Sequence, residues 1–163
     1  MMRLYFLRHG IAEDAAPGQT DASRKLTDNG RAKMRQQAEY LRGLNLKLDA
    51  VFSSPYPRAF ETAQIVQQVC AFPDVIEDRR ISSGTFGLGV VQAILAENPT
   101  LSNVLFVGHE PDLSGIVEHL CGEMIDMKKG SLAYLQTHVP EPDQAVLCWL
   151  LAPAAMRVAE EEE

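Results

Sequence analysis

The run Leu4-Tyr5-Phe6-Leu7-Arg8-His9-Gly10, close to the start of the chain, passes from apolar residues directly into basic side chains and a glycine. Two later apolar runs are also followed by a turn of small or polar residues: Ala50-Val51-Phe52 precedes Ser53-Ser54, and Val104-Leu105-Phe106-Val107 precedes Gly108-His109. Apolar residues in unbroken succession, rather than in alternation, are typical of strands buried on both faces of a parallel sheet. The runs therefore predict three buried strands, each followed by a polar turn.

One-sided apolar spacing predicts helices between these strands, because residues three, four and seven positions apart share one helix face. Thr27 is the expected N-cap of one helix, and Ser54-Pro55 is expected to begin another. Strands that alternate with helices indicate an α/β layered fold with a mainly parallel sheet and an antiparallel edge formed by the last strands. The helical stripes are Ala59, Ala63, Val66 and Cys70; Leu113, Ile116, Val117 and Leu120; Met34, Ala38 and Leu41; and, more weakly, Val91, Ile94 and Leu95. The further strands are expected near Val75-Ile76, Leu132 to Thr137 and Val146 to Leu151.

Length and composition predict one ordinary globular domain. The 163 residues include 46% hydrophobic ones and carry a net charge of -7, from 15 Lys and Arg against 22 Asp and Glu. This acidic balance argues against a general nucleic-acid binder, because affinity for the phosphate backbone comes from many basic side chains on one face. Glu160 to Glu163 supply four of the acids, so the body of the chain is only mildly acidic.

The chain has no repeat and no linker composition, so we expect a single domain over residues 1–153 and a disordered acidic tail over 154–163. The apolar start is too short for a signal peptide or a spanning helix, so we expect no membrane association. Cys70, Cys121 and Cys148 are widely spaced among apolar neighbours, which is typical of reduced, buried cysteines rather than of disulfides. The resulting expectation is a cytoplasmic protein.

The predicted strands end in residues suited to binding phosphate. Arg8 and His9 follow the first, Arg58 comes shortly after the second, and His109 follows the third. In an open α/β sheet the functional crevice lies outside the carboxyl ends of the strands. A planar guanidinium matches a phosphoryl group with two hydrogen bonds, and burying several cations together is unfavourable unless an anion joins them. Each residue alone could be structural, but together they predict an anion site.

No metal or other cofactor is expected at this site. The histidines lack the close spacing of a metal-binding motif, and Arg8 beside His9 would repel a cation.

Three motifs occur in order: Leu7-Arg8-His9-Gly10, Ser53-Ser54-Pro55-x-x-Arg58-Ala59-x-x-Thr62-Ala63, and Val107-Gly108-His109. Together they resemble the histidine phosphatase superfamily. The stretch from Asp21 to Gly30 and the Gly-His-Glu-Pro at 108 to 111 are most similar to its SixA-type phosphohistidine phosphatases. The resemblance covers about residues 3 to 153. It departs at Lys25, where those proteins usually have proline, which concerns the geometry of that loop rather than the chemistry.

The resemblance implies a three-layer α/β/α fold of the phosphoglycerate mutase type and a metal-independent, covalent mechanism. His9 would be the nucleophile that forms a phosphohistidine intermediate, and Arg8, Arg58 and His109 would bind the phosphoryl oxygens. For a second set of residues the resemblance leaves the role open: Glu110 or Glu13 as an acid or a supporting residue, and Ser53 and Arg24 as further phosphate ligands.

The implied substrate is phosphohistidine on a protein partner, such as a phosphotransfer domain or a phosphocarrier. Relatives that act on sugar phosphates generally carry extra segments over the site, whereas the connection from Val75 to Pro99 is short here. Two alternatives stay open from the sequence. One is a small-molecule phosphomonoesterase of the sugar phosphate type, and the other is a module that binds phosphate or phosphoprotein without catalysis.

Overall fold

Six strands form one sheet in the structure, a computed structural model that describes residues 1–157. The sheet order is β3-β2-β4-β1-β5-β6. The first four strands in this order pair in parallel, whereas β5 is antiparallel to both β1 and β6. The predicted parallel sheet with an antiparallel edge is therefore confirmed. The strands are β1 Met2–Arg8, β2 Ala50–Ser53, β3 Val75–Glu77, β4 Asn103–Gly108, β5 Leu132–Thr137 and β6 Ala145–Leu151.

The predicted helices are all present, and they connect the strands in the predicted order. Thr27 caps the first of them, because its side-chain oxygen accepts a hydrogen bond from the Gly30 amide at 2.9 Å. The helices are α1 Asp28–Gly43, α2 Pro57–Cys70, α3 Leu88–Glu97 and α4 Asp112–Cys121. Short 3-10 turns lie at Asp21–Ser23, Arg79–Ile81 and Pro153–Ala155.

Helices cover both faces of the sheet, so the fold has three layers as expected. Leu4 and Phe6 of β1 pack in a core with α3 and α4, whereas Tyr5 and Leu7 pack in a second core with α1 and α2. All four side chains are buried. The run from Leu4 to Leu7 is unbroken because alternate residues fill opposite cores.

The predicted start of α2 at Ser54-Pro55 is wrong by two residues. Tyr56 has an extended backbone (φ −62°, ψ 132°), and Pro57 is the first helical residue. A residue before proline is pushed away from helical geometry, so the helix begins at the second proline rather than the first. The Ser54 hydroxyl instead accepts a hydrogen bond from the Tyr56 amide at 3.2 Å.

The packed part of the chain continues past residue 153. The turn Pro153–Ala155 brings Met156 to a buried position in the core with α1 and α2. The predicted disordered tail over 154–163 lies mostly at residues 158–163, outside the described residues. The expectation of buried cysteines is wrong for Cys148, which is exposed on edge strand β6, and Cys70 and Cys121 are only partly buried.

Gly30, in the first turn of α1, lies against the chain that follows the first strand. A Cβ atom at this position would lie 2.1 Å from the carbonyl oxygen of Ile11. That oxygen also accepts a hydrogen bond from the Thr27 amide at 3.0 Å. Because the Ile11 oxygen and the Gly30 Cα that would carry the Cβ both belong to the backbone, no side-chain rotation can relieve this overlap. The absence of a side chain therefore allows α1 to hold the segment after His9 in place.

Gly30→Ala is expected to destabilise the protein by about 1–3 kcal/mol, because the added methyl overlaps backbone. Gly43→Ala in the same helix is the matched control, since nothing lies within 4 Å of the position that its Cβ would take. Alanine has the higher helix propensity, so the control should be neutral or stabilising by up to about 1 kcal/mol. Urea unfolding would measure both. Equal effects at the two positions would contradict the close approach of Ile11.

Candidate active site

Three strand ends lie side by side at the same edge of the sheet. β4 pairs with β2 on one side and with β1 on the other. The ladders extend one residue past the strands: the His9 amide donates to the Gly108 carbonyl at 3.1 Å, and the Ser54 amide donates to the Val107 carbonyl at 3.0 Å. His9, Ser54 and His109 therefore come from adjacent strand ends.

The ring of His9 is oriented by its own neighbour in the chain. Its Nδ1 lies 2.7 Å from the carbonyl oxygen of Gly10. A carbonyl oxygen can only accept, so Nδ1 carries the proton and Nε2 keeps its lone pair. Nε2 faces the Nε–H of Arg58 at 3.4 Å. The unprotonated nitrogen is thus the one directed at Arg58.

His9 is held in its neutral form. The residue is only 5% exposed. Burial is the largest cause that lowers its pKa, to about 4, and the charges of Arg58 and Arg8 act in the same direction against the Gly10 hydrogen bond. A neutral imidazole with a free Nε2 is a competent nucleophile at neutral pH.

His109 lies next to His9, with the ring centroids 5.3 Å apart. Its Nε2 is 2.7 Å from the Ser54 hydroxyl oxygen. Its Nδ1 is buried and has no hydrogen-bond partner within residues 1–157. Burial, followed by the charge of His9 and that of Arg58, lowers the pKa of His109 to about 3. Both histidines are therefore neutral at pH 7.

Arg58 reaches the site from the first turn of α2 and is 3% exposed. Its Nη1 donates to the backbone oxygen of Asp21 at 2.7 Å, and its Nη2 donates to a carboxylate oxygen of the same residue at 3.0 Å. The ring of Tyr56 lies 5.2 Å from the guanidinium carbon. The guanidinium is thus held at its far end while its Nε faces His9.

Arg8 is anchored at the opposite side of the sheet, by the loop that precedes β5. Its Nη1 donates to the Met127 carbonyl at 2.7 Å, whereas its Nε is buried without a partner in the described part of the chain. The amide of Gly130 donates to both the Arg8 and the His9 carbonyl oxygens, each at 3.1 Å. Burial lowers the pKa of Arg8 from its ordinary value.

Thr62 connects the first motif to the second. Its hydroxyl oxygen accepts from the Gly10 amide at 3.1 Å and donates to the Arg58 carbonyl at 2.8 Å. On the other side of Gly10, a Cβ atom would lie 2.7 Å from the Met34 Cγ. The turn after His9 is therefore fixed between α1 and α2.

The carboxylates of Glu110 and Glu13 both accept hydrogen bonds from backbone amides. A carboxylate oxygen of Glu110 accepts from the Ser114 amide in the first turn of α4 at 2.8 Å. A carboxylate oxygen of Glu13 accepts from the Lys25 amide at 3.2 Å. That hydrogen bond is the main cause that lowers the pKa of Glu13, which keeps its carboxyl ionised rather than poised to donate a proton.

The hydroxyl of Ser53 is buried and donates to the Ser54 carbonyl at 2.9 Å. Arg24 directs two of its donors elsewhere: Nε to the Glu13 carbonyl at 2.7 Å and Nη1 to an Asp21 carboxylate oxygen at 2.8 Å. Of the residues named from the sequence, the structure thus brings together Arg8, His9, Arg58 and His109. The phosphate-binding roles of Ser53 and Arg24 stay predictions.

Asp21 is the site residue that sequence reasoning missed. It was recognisable only as part of an Asp-x-x-Arg stretch, where opposite charges three residues apart are common on any surface. Its contact with Arg58 joins positions 37 residues apart in the chain, which no local pattern reveals.

The described residues contain no group of three or more His, Cys, Asp or Glu arranged to hold a metal ion. None of their helices is long and apolar enough to cross a membrane. The chemistry available at this edge of the sheet is that of a neutral imidazole beside a buried guanidinium group, that of Arg58, and a partly buried one, that of Arg8.

Comparison with known proteins identifies what this arrangement is similar to. Residues 4–89 match the model of the histidine phosphatase superfamily, branch 1. The chain is 30% identical over 162 residues to phosphohistidine phosphatase SixA of Escherichia coli strain K12, covering 97% of this chain and 98% of that protein. It is also 31% identical over 145 residues to an uncharacterized protein of Picosynechococcus, covering 83% and 86%.

The fold agrees with this similarity. The structure of the protein histidine phosphatase SixA complexed with tungstate superposes with a TM-score of 0.82 at 26% identity, covering 96% of this chain and 100% of that one. The expected phosphoglycerate mutase-like α/β fold is therefore confirmed.

The geometry of His9 predicts its tautomer and its titration. At pH 7 the ring should carry its proton on Nδ1, and it should stay neutral until the pH falls to about 4. In the urea-unfolded chain the histidines should titrate near the ordinary value of about 6.5. Two-dimensional ¹H–¹⁵N NMR of the imidazole nitrogens measures both properties. A proton on Nε2, or a folded-state midpoint near that of the unfolded chain, would contradict the interpretation.

Proposed function

The chain belongs to the histidine phosphatase superfamily and is a phosphatase, and from this premise we propose that it hydrolyses phosphohistidine on a partner protein. The observation that carries the proposal is the state of His9: a neutral ring whose Nδ1 is tied to the Gly10 carbonyl and whose Nε2 faces the Arg58 guanidinium at 3.4 Å.

In the proposed first step, Nε2 of His9 attacks the phosphorus atom of the substrate phosphohistidine. The bond between phosphorus and the substrate nitrogen breaks as the new bond to Nε2 forms. The substrate ring, protonated at its other nitrogen, leaves as neutral imidazole with the electron pair of the broken bond. In the second step a water molecule attacks the phosphorus, the bond to Nε2 breaks, and phosphate is released. Throughout, Nδ1 keeps its proton and donates it in a hydrogen bond to the Gly10 carbonyl oxygen.

Arg8 and Arg58 would stabilise the negative charge on the equatorial phosphoryl oxygens. Phosphoryl transfer depends mainly on positioning and on such charge stabilisation, and guanidinium groups suit both. For His109 we infer that the Ser54 hydroxyl donates to Nε2 across their 2.7 Å separation, which leaves Nδ1–H for a phosphoryl oxygen. In this arrangement His109 Nδ1–H and the N–H groups of Arg8 and Arg58 that no protein oxygen accepts would be available to the transferred group.

No dedicated proton donor is needed for this substrate. The leaving group is a neutral imidazole, whose conjugate acid has a pKa of about 6.5, so it is a far weaker base than the alkoxide of a phosphate ester and can leave without a proton from the enzyme. This agrees with the placement of Glu110 and Glu13 on backbone amides. We therefore assign these two carboxylates to the support of α4 and of the loop before α1.

Similarity to SixA supports phosphohistidine as the substrate class. The Escherichia coli relative is a phosphohistidine phosphatase, and the structurally similar SixA was solved with tungstate, a tetrahedral oxyanion like phosphate. The segment between β3 and β4 adds a second argument. It is short, and its Ile81 and Phe86 pack into the core, so these residues do not form an extra cover over the site. A phosphotransfer domain or a phosphocarrier would present its phosphohistidine on a protein surface.

His9→Ala is expected to lower the rate of phosphohistidine hydrolysis by at least about 10³-fold, because the covalent intermediate can no longer form. The assay uses a phosphocarrier protein phosphorylated on histidine with ³²P. His119→Ala is the matched control, since this exposed histidine lies on α4, away from the His9 ring, and should leave the rate unchanged.

Rapid quenching of the wild-type reaction in alkali should trap ³²P on His9, in a form that acid releases. Wild-type turnover in His9→Ala would end the proposed mechanism. Faster hydrolysis of sugar phosphates than of the phosphocarrier would favour the small-molecule phosphatase, and binding without any turnover or label would favour the non-catalytic module.

A further inference from the structure

Asp21 is the one acidic residue that forms an ion pair with Arg58 among residues 1–157. The two side chains differ sharply in environment, because the Arg58 side chain is 4% exposed and the Asp21 side chain is 60% exposed. The contact therefore joins the exposed loop before α1 to a buried side chain of the site. Asp21 uses both its carboxylate and its backbone carbonyl in this contact.

A guanidinium group has five N–H bonds, and their distribution here defines its orientation. Asp21 accepts one from Nη1 and one from Nη2. The single Nε–H points to the His9 Nε2 at 3.4 Å, the position where the mechanism above forms its bond to phosphorus. Two N–H bonds, one on each Nη, remain for phosphoryl oxygens.

We propose that Asp21 is a positioning residue for phosphoryl transfer: by holding the Nη end of Arg58, it turns the Nε edge of the guanidinium toward the His9 nucleophile. This inference rests on the phosphatase mechanism proposed above and adds to it a residue that acts only through Arg58. The two-point contact matters because a guanidinium held by one hydrogen bond can still rotate about it, whereas one held at both Nη atoms cannot.

Asp21 is itself restrained by a second arginine, Arg24. Arg24 donates to its other carboxylate oxygen at 2.8 Å and, through Nε, to the Glu13 carbonyl at 2.7 Å. The carboxylate of Asp21 thus lies between two guanidinium groups, that of Arg24, which is partly buried, and that of Arg58, which is buried. Arg24 therefore restrains Asp21 in the same way that Asp21 restrains Arg58.

Charge excludes a role for Asp21 as the proton donor. The hydrogen bond from Arg24, and then that from Arg58, hold its pKa below the ordinary value. The group is consequently a carboxylate at neutral pH, which can accept hydrogen bonds but has no proton to give. Orientation and partial neutralisation of Arg58 are the functions that the geometry leaves to it.

Asp21→Asn tests the proposal, because it keeps the size and the backbone carbonyl while it removes the charge. Loss of precise placement in an active site lowers rates by up to about 10²-fold. We expect kcat on the ³²P-phosphocarrier to fall by roughly 10- to 100-fold, with KM changed by less than about threefold. Arg24→Gln should show a smaller loss of the same kind.

Asp28→Asn is the matched control. Asp28 is an exposed aspartate paired with Arg31 three residues away, as Asp21 is with Arg24, but it has no contact with Arg58. Its substitution should leave kcat unchanged. Thermal unfolding of all variants should agree within a few degrees, so that a lost fold cannot be mistaken for lost orientation.

A second comparison uses the Arg58→Lys background, because lysine has no planar guanidinium group for Asp21 to orient. Asp21→Asn should cause no further loss of kcat there, whereas a merely structural aspartate would lower the rate by the same factor in both backgrounds. Additive effects would overturn the proposal. A wild-type kcat in Asp21→Asn would also overturn the proposal. So would tighter binding of inorganic phosphate together with a higher kcat in this variant, because Asp21 would then be a residue that blocks access of phosphate to Arg58.

A readout without turnover separates this inference from the proposed function. In the wild type, restricted rotation should give the two Nη atoms of Arg58 distinct ¹⁵N NMR signals. In Asp21→Ala, which removes the side-chain acceptor of Nη2, these signals should merge. If the wild type fails to hydrolyse phosphohistidine, the proposed function is wrong, and distinct Nη signals still establish the restraint. Merged signals in the wild type would overturn the inference, whatever the activity.

Discussion

The hydrogen bond between Nδ1 of His9 and the carbonyl of Gly10 determines which ring nitrogen can react, and much of the nearby structure serves to keep that carbonyl in place. Gly10 is held through its amide by Thr62 of α2 and leaves no room for a side chain beside Met34 of α1. The next residue, Ile11, is fixed by the start of α1. The helices on this face of the sheet thus fix the tautomer of His9 through a single peptide group.

The electrostatic design of the site combines basic groups with a neutral nucleophile. Burial keeps the imidazole of His9 uncharged, and the guanidinium groups strengthen this effect because a cation beside them is unfavourable. The guanidinium groups are themselves held by oxygen atoms, those of Asp21 for Arg58 and of Met127 for Arg8. The overall charge of -7 therefore says nothing about this local balance, which a few contacts determine.

Sequence reasoning was accurate where burial alone controls the outcome. The strands and helices follow from apolar spacing, because a side chain that faces a core must be apolar whatever its exact neighbours are. It failed at Ser54-Pro55, where two prolines compete to begin α2 and the extended backbone of Tyr56 decides between them. It also failed for Cys148, because apolar neighbours in the sequence do not reveal which side chains of β6 pack into a core.

The sequence by itself determined the α/β fold and named Arg8, His9, Arg58 and His109, because each follows a recognisable strand and parallel strands end at a common edge. Only the tertiary structure decided the tautomer of His9, the tie of Glu110 to α4, and the hold of Asp21 on Arg58. These depend on distances of about 3 Å between groups that the chain brings together from separate elements. Spacing along a sequence encodes which face a residue occupies, but not which atom it meets there.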